Sequence, residues 1–207
     1  MNDWLASRKY AVASIDYRLC PQWTWPAQRE DLLAAITFLR EHASRLGIDP
    51  MRLVLLGRSA GSQIALATGN AGHHPGIRGI IAFFPPTDFF RTWEVSTDPG
   101  PLDHRTNLEW FLGGTPQTAR AAYNSASAVT LVDGSVPPTL LLHGALDINV
   151  FPEQSQRLQS KLASAGVRHC LIMLPWAAHG FDLIDFNSPG SQIATYSIDW
   201  FLTSVTR

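Results

Sequence analysis

The chain is short of cysteine: it has two in 207 residues, Cys20 and Cys170. That is too few and too scattered for a disulfide scaffold or a thiolate metal site, and both are expected as free thiols. Charge is sparse as well, at 16% of residues with a formal net charge of -1. The basic residues form no run, so neither nucleic acid nor an anionic membrane surface is indicated as a partner. No stretch approaches the roughly 20 apolar residues that a bilayer span needs. The beginning lacks a charged region followed by an apolar signal core, and the expected compartment is cytoplasmic. What is present is ordinary globular material, 45% hydrophobic over a length that can bury one core.

Apolar runs and helical periodicities alternate along the chain. Tyr10 to Asp16, Leu53 to Leu56, Ile77 to Phe84, Thr139 to His143 and Cys170 to Leu174 read as five strands. Leu32, Ile36, Leu39, Ala43 and Leu46 recur at helical spacing over 27–46, with Gly47 as the stop. Further helices are expected from Glu153 to Ala165 and from Ile193 to Val205. Such alternation predicts an α/β fold, a mostly parallel sheet with helices on both faces, as one domain over 1–207. Residues 86–137 break the pattern with proline, aromatic and small polar residues, and are expected to form a cap-like insertion with a short helix around Asn107 to Leu112. Trp93, Trp110 and Phe111 are candidates there for an apolar substrate wall, or for packing the insertion onto the domain.

Gly57-Arg58-Ser59-Ala60-Gly61 stands between an apolar strand and a helix-like run. Glycines two places either side of the serine suit a tight strand-to-helix turn that lifts Ser59 clear of the sheet as a nucleophile. A serine alcohol needs a base within reach and a carboxylate to orient that base. Asp147 follows the strand ending at His143 and is the expected acid; Asp182 and Asp133 compete for that role. His179, in Trp176-Ala177-Ala178-His179-Gly180-Phe181, is the expected base. Ala60, opening the helix, would lend its backbone amide to an oxyanion. His143 at a strand end reads as structural, His73-His74 as solvent-facing, and Arg58 as either substrate-directed or salt-bridged to a neighbour. Two adjacent histidines cannot by themselves complete a zinc site, and the reading uses neither metal nor organic cofactor.

The order nucleophile, acid, base is that of the α/β-hydrolases. Asp16-Tyr17-Arg18-Leu19, Pro21 with Trp25-Pro26-Ala27, Asp31 as a helix opener, Pro138 to Gly144 with Asp147, and His179-Gly180-Phe181 together resemble the esterase/lipase group of that fold, the acetyl-esterase and hormone-sensitive-lipase-like enzymes. The resemblance covers nearly the whole chain and implies carboxylic ester hydrolysis through an acyl-enzyme on a small-molecule ester; it assigns no oligomeric state. Members of that group also carry, before the Asp-Tyr-Arg-Leu strand, a His-Gly-Gly-Gly-type loop that supplies oxyanion amides, and a strand that would lie between Tyr10 to Asp16 and Leu53 to Leu56. Neither is found here, so the resemblance implies an N-terminally truncated form of the fold with weak activity. The missing strand would leave a central slot in the sheet, so either the Tyr10 strand slides over to pair with the next, or the chain is a truncated product that folds poorly alone. A prolyl-oligopeptidase-like serine peptidase and a non-catalytic hydrolase fragment are the alternatives.

Overall fold

A computed structural model describes residues 1–72, 74–96, 104–183 and 185–206. His73 lies outside the described residues. The chain opens with α1 (Asn2–Ser7), continues without helix or strand to residue 19, and enters α2 (Ala27–Glu41) and the single turn α3 (Ala43–Leu46). Then come β1 (Leu53–Arg58), α4 (Ala60–Asn70) and β2 (Ile77–Phe83). Three helices follow, α5 (Phe89–Val95), α6 (His104–Leu112) and α7 (Arg120–Ala126). The alternation resumes with β3 (Thr139–Gly144), α8 (Glu153–Ser164), β4 (His169–Leu174) and α9 (Pro189–Thr206).

All paired strands are parallel, in the order β1-β2-β3-β4. Side chains alternate across the sheet with period two. Leu55, Ile80, Ala82 and Leu141 point to one face, where Ile36 of α2, Ala65 and Leu66 of α4, and Leu158 and Leu162 of α8 cover them. Ile81, Phe83, Leu140 and Leu142 point to the other, under Leu5 of α1 and Ala194, Ile198, Phe201 and Leu202 of α9. Covered on both faces, β3 is buried along its whole length, as its unbroken run of leucines requires. A third cluster joins Trp25, Ile64, Phe89, Leu108, Leu112 and Tyr123, and fixes α5 to α7 against α2 and α4.

Among the described residues the sheet has four strands, not five. Tyr10 to Asp16 has no regular secondary structure and joins no ladder. It does not slide onto β1, because both of its ends are fastened elsewhere. Upstream, Arg8 pairs with Asp199 on α9. Downstream, the Arg18 backbone N–H donates to Asp31 Oδ2 at 2.8 Å, and its guanidinium donates to Asp31 and to the Ala27 carbonyl. Asp31 therefore sits one turn inside α2 and anchors the segment instead of opening the helix. Between the segment and β1 a cleft of about 840 Å³ remains, walled by Tyr10 to Ile15, Leu53 to Leu56, Ile36 and Ile64. It leaves β1 as an edge.

Candidate active site

The strand β1 ends at Arg58 and α4 begins at Ala60, so one residue makes the turn. Ser59 takes φ 50 and ψ -118, a conformation rare for any residue but glycine, and its N–H donates to the Phe83 carbonyl on β2 at 3.0 Å. Gly57 makes that turn possible: a Cβ there would lie 2.3 Å from the carbonyl carbon and oxygen of Gly61. Gly61 is different from expectation. A Cβ on it would meet nothing within 4 Å, since Gly61 borders the open cleft.

The loop after β3 carries Asp147 and the loop after β4 carries His179. Gly144 lets the two loops touch, because a Cβ there would lie 2.2 Å from the Ala177 carbonyl oxygen. The Leu146 N–H donates to that same oxygen at 2.9 Å, and the Ala145 N–H donates to the Leu174 carbonyl at 2.8 Å. The result brings together side chains 120 and 32 residues apart in sequence. His179 Nε2 is 3.1 Å from Ser59 Oγ, and His179 Nδ1 is 2.7 Å from Asp147 Oδ2. With Nδ1–H donating to the carboxylate, Nε2 is left to accept from the serine hydroxyl.

Asp147 is wholly buried while His179 keeps 21% of its side chain exposed, so the acid is shielded and the imidazole reachable. Burial alone would raise the Asp147 pKa, but the opposing contributions are larger in sum. Hydrogen bonds from His143, His179 and the Val150 N–H, with the charge of His179, hold that carboxyl well below the usual carboxylate range. Its second oxygen accepts from the N–H groups of Asn149 and Val150, both at 2.9 Å. Asp133 instead accepts from Ser135, and Asp182 pairs with Arg58 at 2.6 Å. Neither competes for His179.

Two residues support the site: His143, whose structural reading holds, and Phe84, which the sequence did not single out. His143 is fully buried, with Nδ1 2.7 Å from Ser155 Oγ and Nε2 2.9 Å from the Val150 carbonyl and 3.3 Å from Asp147 Oδ2. It steadies the acid loop from beneath. Phe84, at φ 38, places its ring 4.4 Å from the His179 ring and 5.8 Å from that of Phe181. The only sequence sign of Phe84 was its place between a buried strand and Pro85-Pro86.

Ala60 is exposed and is the first residue of α4, so its amide has no partner within the helix. Trp93 and Phe111 are half-buried in the third cluster: Phe111 meets Trp25 and Phe89 edge-on, each at 5.7 Å, and Trp93 meets Tyr123 at 6.4 Å. Trp110 is 50% exposed. His74 is half-buried, and burial, with Arg29 and Arg40 nearby, lowers its pKa. Cys20 and Cys170 are free thiols. Among the described residues no group of three or more His, Cys, Asp or Glu is placed to hold a metal ion.

A family model described as BD-FAE matches residues 1–162. The chain belongs to the BD-FAE family. Its sequence is 26% identical to esterase LipC of Mycobacterium tuberculosis over 98% of this chain and 52% of LipC, and 35% identical to carboxylesterase NlhH of the same organism over 89% and 60%. The chain thus spans about half the length of the first of these relatives. Among solved structures, a truncated carbohydrate esterase from gut microbiota superposes with a TM-score of 0.77 at 22% identity, covering 93% of this chain and 73% of that one. A puromycin-hydrolyzing peptidase of Mycobacterium tuberculosis matches with a TM-score of 0.74 at 27% identity, over 91% of this chain and 26% of its own. The architecture is the α/β-hydrolase fold. Among the described residues, no helix is long and apolar enough to cross a membrane.

Proposed function

We propose that this BD-FAE family member is a serine hydrolase that cleaves carboxylic esters of small molecules through an acyl-enzyme. The observation that carries the reading is the unbroken contact from Ser59 Oγ through His179 to Asp147, at 3.1 and 2.7 Å. His179 Nε2 takes the Ser59 proton as Oγ bonds to the ester carbonyl carbon, and Asp147 holds the imidazole tautomer and favours its cation. The oxyanion is received by the Ala60 amide, where the dipole of α4 favours negative charge. Collapse breaks the ester bond, and the leaving alcohol takes the proton from His179. Water, deprotonated by the same imidazole, then releases the acid.

In this reading residues 86–137 act as a cap, with Trp110 presenting the exposed aromatic face of the substrate wall and Trp93 and Phe111 behind it. The cytoplasmic setting is part of the same proposal and accords with two free thiols. The names of LipC and NlhH support the ester preference. A second reading, a serine peptidase, is favoured by the likeness to the puromycin-hydrolyzing peptidase.

A fluorophosphonate probe tests the mechanism. It should label the native chain at Ser59 and fail on Ser59→Ala; equal labelling of that variant would refute Ser59 as the nucleophile. Turnover of p-nitrophenyl acetate and butyrate against aminoacyl amides then separates the two readings, ester cleavage alone being the expected result.

A further inference from the structure

Arg58 is the residue immediately before Ser59, and Asp182 lies in the turn just beyond His179. The two side chains meet across the ends of β1 and β4. Asp182 has no exposed side-chain surface, and its Oδ2 lies 2.6 Å from both Nε and Nη2 of Arg58. Its Oδ1 is buried with no partner among the described residues. The guanidinium also lies over the ring of Phe83, 4.8 Å from its centroid, and the Phe83 carbonyl accepts the Ser59 N–H. The Phe83 ring also neighbours that of Phe181, with centroids 6.1 Å apart, and Phe181 is next to Asp182.

A buried ion pair is a poor way to gain stability, because desolvation offsets most of the attraction and an apolar pair of similar volume often does as well. An unpaired Oδ1 makes this one poorer still. What the pair supplies is direction: two donors on a rigid planar fork converge on one carboxylate oxygen, and they join the turn carrying Ser59 to the turn carrying His179. Apart from His179 itself, this is a polar side-chain bond between those two turns.

We propose that Arg58 and Asp182 form a positioning clasp that sets the separation of Ser59 Oγ and His179 Nε2. Neither residue touches the reacting atoms. The inference rests on the proposed role of Ser59 and His179, and its test carries one readout that does not.

The test compares native chain, Arg58→Lys, Arg58→Met and the apolar exchange Arg58→Met with Asp182→Leu. Three quantities are read: the melting temperature, the second-order rate of fluorophosphonate labelling, and the downfield proton resonance of His179 Nδ1–H in its bond to Asp147. Arg58→Met should slow labelling by about 10- to 100-fold, the scale of a misplacement near 1 Å. Arg58→Lys, a point charge without the fork, should fall between. The apolar exchange should restore the melting temperature of Arg58→Met towards native while labelling stays slow and the His179 resonance stays weakened. A merely structural pair would recover labelling together with stability. Native labelling in the apolar exchange, or an unchanged His179 resonance in Arg58→Met, overturns the clasp. Labelling that survives Ser59→Ala overturns the proposed mechanism instead, and the resonance still decides the clasp.

Discussion

Gly57 and Gly61 flank the same serine, yet alanine at the two positions should act with opposite sign. At Gly57 the new Cβ would sit 2.3 Å from the Gly61 carbonyl carbon and oxygen and 2.5 Å from Ser62 N. These are backbone atoms of the first turn of α4, so no side chain can swing aside. Relief needs a shift of about 1 Å in β1 or α4, which places the cost at the upper end of overpacking, about 3 kcal/mol. A domain of this size loses roughly 2–4 °C in Tm per kcal/mol, so Gly57→Ala should melt about 6–12 °C lower. At Gly61 the Cβ would enter open space, on a helical residue. Removing glycine's extra unfolded-state freedom stabilises by about 0.5–1 kcal/mol, a rise of roughly 1–4 °C. Scanning calorimetry of both variants beside the native chain reads the two signs. If Gly61→Ala melts as far below native as Gly57→Ala, the steric argument is wrong and the space beside Gly61 is filled in solution.

Two further outcomes follow from buried polar groups. The Asp147 pKa is depressed by folding, so its contribution to stability is fully present above the unfolded value of about 3.9 and is lost as pH falls through the folded value. Urea midpoints measured from pH 6 down to pH 3 should therefore fall less steeply for Asp147→Asn than for the native chain; parallel slopes would contradict the assignment. Tyr123 is fully buried with no partner for its hydroxyl among the described residues, and burial, helped by Glu109, pushes the phenol up to about 12. Tyr123→Phe keeps the ring contacts with Phe90 and Trp93 and removes the orphan, so Tm should hold or rise by a few degrees. A lower Tm would mean that the hydroxyl is satisfied in solution.

Local chemistry was legible wherever one segment decides the outcome. The leucine run before Gly57 located β1 within two residues; the helical spacing over 27–46, read as one helix, is broken at His42 into α2 and α3, and Gly47 at φ 65 ends α3 where the pattern stops. Ser59, Asp147 and His179 could be singled out because each follows a strand end, and parallel strands deliver such loops to one rim. Pairing was not legible. Tyr10 to Asp16 has strand composition, but whether it joins a ladder depends on what fills the neighbouring position, a property no local window holds. The free space at Gly61 has the same origin. The role of Phe84 depends on a backbone conformation, φ 38, that nothing in its side chain announces.

Mounting the proposed machinery on loops after β1, β3 and β4 makes the 3.1 Å contact between Ser59 and His179 a gauge of how those strands are aligned. A slip of β4 by a single residue turns every side chain of that strand to the opposite face and carries the imidazole out of range. Partial misalignment thus leaves no partial contact, and turnover is expected to vanish in step with cooperative melting of the sheet instead of fading ahead of it.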